Sequence, residues 1–68
     1  MRVDSESIRD VRYDPERAKL FVTFDDGDLY VYVGVPGEVG RDFVDADAKS
    51  AFFAYEIRDR FPFNRIAA

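Results

Sequence analysis

Two tyrosines spaced two apart, Tyr30 and Tyr32, and four cations toward the C-terminus, Lys49, Arg58, Arg60 and Arg65, are the side chains of this 68-residue chain best suited to meeting a ligand. Exposed aromatic rings stack on nucleic-acid bases for about 1–3 kcal/mol per base. The planar guanidinium fork matches phosphate oxygens. These six residues are therefore the candidates for RNA binding. Each has a structural explanation beside the functional one. Rings that line a core cannot stack on bases, and the dipole of a helix C-terminus attracts cations such as Arg58 and Arg60 without any ligand.

Other chemistry is harder to place. Asp25, Asp26 and Asp28 surround Gly27, but the further oxygens and the distal Glu of a twelve-residue calcium loop are missing, so a solvated turn is expected. Carboxylates are numerous, yet no pair is singled out by an apolar setting as the acid and base of a hydrolase would be. The chain has no histidine and no cysteine. That removes imidazole acid–base work, thiolate nucleophiles, disulfides and the usual zinc sites. No catalytic residue, cofactor, metal or small-molecule substrate is expected, and the chain does not read as an enzyme.

A chain of this length has room for one domain, residues 1–68, and a small core. At 47% hydrophobic, 16% aromatic and 35% charged, the composition is that of a globular protein and not of a disordered one. The formal net charge is −4, which gives no global attraction to nucleic acid or to an anionic membrane. Its distribution is uneven: residues 1–48 hold 6 basic and 12 acidic side chains, residues 49–68 hold 4 basic and 2 acidic. The polar N-terminus lacks the apolar stretch of a signal peptide, and no segment has the length of a membrane span. With no cysteine staples in so small a chain, a reducing interior is indicated and a cytoplasmic location is expected.

The elements that must position these residues centre on 20–36, LFVTFDDGDLYVYVGVP. Leu20, Val22 and Phe24 alternate with Phe21 and Thr23, a strand signature rich in β-favouring residues. Asp25-Asp26-Gly27 supplies a turn, and a strand follows over 29–33. Upstream, residues 7–13 form a short first strand with Val11 and Tyr13 on one face, and Asp14-Pro15-Glu16-Arg17 turns the chain. Residues 1–6 are expected to be loose. Downstream, Pro36 opens a helix over 36–46 whose stripe is Val39, Phe43 and Ala46. Asp45 or Asp47 caps a second helix over 48–61, with Phe53, Ile57 and Phe61 at four-residue steps and Pro62 ending it. The tail either packs Phe63 and Ile66 on an edge of the core or stays loose, with 67–68 loose in both cases.

Leu20, Val22, Phe24, Gly27, Tyr30, Tyr32, Val35, Pro36, Phe52, Phe53, Ile57 and Arg58 stand in an order that resembles the KTSC domain. That family is named for its occurrence at the C-terminus of some lysyl-tRNA synthetases and is also found as small stand-alone bacterial proteins. The resemblance covers roughly residues 5–66. It implies a binding module, with RNA as the suggested ligand. Relatives tend to carry Ser-Lys-Gly before the two phenylalanines and Asn after them, whereas this chain reads Ala48-Lys49-Ser50-Ala51-Phe52-Phe53-Ala54.

The hairpin register has two solutions. A two-residue turn sets Phe24 opposite Leu29, while a three-residue turn with a glycine bulge sets Phe24 opposite Asp28, and a one-residue slip moves every side chain to the other face. The resemblance favours the bulged turn, which gathers Leu20, Val22, Phe24, Tyr30 and Tyr32 on the core face. Phe21, Thr23, Leu29, Val31 and Val33 then form a contiguous apolar outer face of the kind that marks an interface.

The expected architecture is α+β: a three-stranded antiparallel β-meander followed by two α-helices packed on one face. The first functional expectation is a KTSC-like module that binds RNA or a ribonucleoprotein partner through the basic C-terminal helix. The second is a protein-interaction or homodimerisation module using Phe21, Val31 and Val33, with no nucleic-acid role and no membrane contact.

Overall fold

The computed structural model describes residues 8–67. The expectation of a loose segment at 1–6 lies outside the described residues. Three strands form the meander: β1 Ile8–Asp14, β2 Lys19–Phe24 and β3 Leu29–Val33. The turn at Gly27 takes the bulged form, for the Phe24 N–H donates to the Asp28 carbonyl (2.9 Å) and the Gly27 N–H to the Phe24 carbonyl (2.9 Å). Gly27 has φ +95°, which favours glycine. Leu20 consequently pairs with Tyr32 and Val22 with Tyr30.

The sheet has four strands, not three. After Pro62 the chain forms β4, Phe63–Ala67, which adds to the open edge of β3 in the order β1-β2-β3-β4. Ala67 is thus part of the sheet and not loose. Apolar residues in this stretch are three apart, Phe63 and Ile66, so it lacks the alternation that announces a strand. Pairing with β3 makes it one, and a register shift opposite Leu29/Tyr30 interrupts the alternation further.

Two helical segments follow β3. The first, α1, spans Gly37–Asp45, with Pro36 just before it. The second differs from the single helix expected over 48–61. One α-turn, α2 Lys49–Phe52, runs into a wider π-type turn, Phe53–Ile57, closed by the Arg58 N–H on the Phe53 carbonyl at 2.9 Å. Neither Asp45 nor Asp47 caps it: Ala48 holds the cap position, with no side-chain hydrogen bond. The four-residue spacing of Phe53 and Ile57 suits an α-turn or a wide one, so spacing alone does not distinguish them.

All the helical segments lie on the face of Leu20, Val22 and Tyr32. Those residues form the core with Val35, Phe43, Phe53 and Ile57, and Ile8, Val11, Tyr13 and Phe24 pack around it. The two layers are joined at Tyr13. Its ring lies against the backbone of Gly40 so closely that a Cβ there would sit 2.6 Å from Tyr13 Cγ. The Tyr13 hydroxyl donates to the Val35 carbonyl (2.6 Å), and the Val35 N–H donates to the Ala18 carbonyl (2.9 Å). Both backbone groups of a fully buried residue are satisfied in this way. Ala18 holds a left-handed φ of 54° to close the β1–β2 turn.

The same turn is built on Asp14. Its Oδ1 accepts from the backbone N–H of Glu16 (3.1 Å) and its Oδ2 from Arg17 (3.2 Å). Partial desolvation pushes the carboxyl up, but the hydrogen bonds from Arg17 and Glu16, with the Arg17 charge, outweigh it and hold Asp14 below its ordinary value of 3.8.

Two predictions follow from this packing. Gly40→Ala has no room beside the Tyr13 ring and is expected to cost about 1–3 kcal/mol, read as a lowered urea midpoint with an unchanged slope. Because the folded carboxyl of Asp14 titrates below the unfolded one, its contribution is fully present above pH 3.8 and fades as pH falls through the lowered value. The stability gap between the native chain and Asp14→Asn, from denaturation midpoints at neutral and acid pH, should therefore close on acidification.

Candidate functional site

The tyrosines proposed to stack on bases are packed against phenylalanines. Tyr32 is 3% exposed, its ring edge-on to Phe53 (5.7 Å) and tilted against Phe63 (5.2 Å). Tyr30, half-buried, meets Phe24 edge-on (5.5 Å) and Phe63 at 5.4 Å. Phe24 also meets Phe53 (5.5 Å), and Phe43 lies parallel to Phe52 at 5.3 Å. The cluster runs unbroken from the helices to the β4 edge. Such pairs add about 0.5–1.5 kcal/mol each beyond burial, so these rings hold the layers together.

The cations are dispersed across structural roles. Lys49 Nζ donates to the Ala46 carbonyl (2.7 Å), beyond the last turn of α1, where the dipole favours positive charge. Arg65 donates to Asp28 Oδ1 (3.0 Å), linking β4 to the β2–β3 turn, and this hydrogen bond and charge raise the guanidinium pKa further. Arg58 and Arg60 follow the π-type turn and are exposed. Lys49 begins α2, Arg58 and Arg60 follow the π-type turn and Arg65 stands on β4, so the four cations are carried by different elements.

The aspartates near Gly27 serve the turn: Asp26 Oδ1 accepts from the Asp28 N–H (3.0 Å) and Asp28 binds Arg65. Among the described residues no group of three or more carboxylates is placed to hold a metal ion. No helix among them is long and apolar enough to cross a membrane.

The outer sheet face is arranged in three rows. Asp10, Thr23 and Leu29 form one, Arg12, Phe21, Val31 and Asn64 the next, and Asp14, Lys19 and Val33 the third. Phe21, Leu29 and Val33 are half-buried, while Val31, between Phe21 and Asn64, is only 7% exposed. Of the two alternatives for the tail, the structure takes the packed one for Phe63, which lies against both tyrosine rings at the sheet edge. What the sequence did not show is that this packing comes with a fourth strand.

With this geometry in place, comparison with known proteins is direct. Residues 4–61 match the KTSC domain family. The chain belongs to the KTSC family. An uncharacterized protein of Stutzerimonas stutzeri (strain A1501) is 41% identical over 51 residues, covering 75% of this chain and 72% of the other. The crystal structure of a KTSC domain protein from Yersinia pestis is similar with a TM-score of 0.81 at 33% identity, covering 97% of this chain and 93% of that one. The family match stops short of β4, yet a structural match over 97% of the chain takes most of that strand in. The structural alignment therefore reaches beyond the family match into β4.

If Tyr32 is structural, Tyr32→Ala will behave as a deletion from an aromatic core, costing about 3–5 kcal/mol. Tyr55→Ala serves as the reference: that ring is 76% exposed, and its loss should stay within about 0.5 kcal/mol. Equal effects in chemical denaturation would contradict the assignment.

Proposed function

We propose that this KTSC chain is a non-catalytic protein-interaction module that pairs with a second copy of itself through the outer sheet face. The observation that supports this reading is the face itself. Phe21, Leu29 and Val33 surround Val31, and among the described residues every helical segment of the core packs on the opposite side. Its charged rim is self-complementary, for Asp10 and Asp14 flank Arg12 along β1 and Lys19 pairs with Asp14. A two-fold contact turns the same patch on itself, so acids of one copy meet bases of the other.

The reading through RNA has less behind it. The two candidate stacking rings lie in the aromatic cluster, Lys49 and Arg65 make bonds within the chain, and the net charge is −4. Base stacking needs open ring faces and phosphate binding needs unengaged cations.

Sedimentation at rising concentration tests the proposal. The mass is expected to climb from 7.9 kDa toward twice that value, and a Phe21→Ser, Val33→Glu variant is expected to stay monomeric with an unchanged far-ultraviolet spectrum. Val31 is left intact, because a charge there would be buried and would unfold the sheet. A native chain that stays monomeric at millimolar concentration defeats the reading. Tight binding of bulk tRNA at physiological salt, lost on Arg58→Ala with Arg60→Ala, would replace it with the RNA module.

A further inference from the structure

We draw no further inference here: the strongest candidate, the groove between the edge of β1 and α1 lined by Val11, Tyr13, Arg41 and Val44, carries nothing, because nothing in the structure shows what covers it.

Discussion

The close approach of Tyr13 to Gly40 sets the separation between the helical layer and the sheet. An aromatic ring laid on helix backbone is possible only where the helix has no side chain, and the distance it enforces is the distance at which Phe43, three residues on, reaches Leu20 and Val22. The ring's hydroxyl then fixes the incoming strand-to-helix connection by holding the Val35 carbonyl, while Ala18 holds the Val35 N–H. In a chain this short the core has few layers to spare. One contact of this kind orients α1, closes the β1–β2 turn against the β3–α1 connection, and seats the only valine of that connection in the interior. Without it the aromatic cluster would have no fixed floor.

That cluster decides what the family's paired tyrosines do in this protein. The bulged Gly27 turn puts Tyr30 and Tyr32 on the same face as Leu20 and Val22, where Phe63 meets both rings, Phe53 meets Tyr32 and Phe24 meets Tyr30. The rings become the link between the sheet and the π-type turn. The wide turn has a corresponding role: it leaves Phe53 and Ile57 buried while the ring of Phe52 lies parallel to Phe43. Surface chemistry is left to the sheet's outer face and to its edges.

Much of this was legible in the sequence. Alternation at 20–24 and 29–33, the glycine turn and the Pro36 boundary define the hairpin and the start of α1, because these are local signals with a single structural solution. The register needed the family resemblance, since both turn lengths suit Asp25-Asp26-Gly27. β4 was not legible: 63–67 has no strand pattern, and its conformation is imposed by the free edge of β3. Nor was the π-type turn, which repeats apolar residues at the spacing of an ordinary helix. The site residues divide the same way. That Lys49 would reach a carbonyl at the end of α1, or Arg65 an aspartate across the sheet, depends on tertiary placement that residue type does not encode. The pairing of Val31 with Asn64 is similar, for Asn64 belongs to the strand that was missed.

The late arrival of β4 in the chain shapes the order in which the molecule assembles. The first three strands join neighbours through short turns, whereas Arg65 must find Asp28 across 37 residues. Pairings this distant in sequence are the slow ones to form, whereas the meander is joined by short turns. In reverse, the terminal strand is the natural first segment to detach, since every described side chain in it is exposed and it lies at the end of the sheet. Loss of that strand would bare the edge of β3 and take Phe63 off both tyrosine rings.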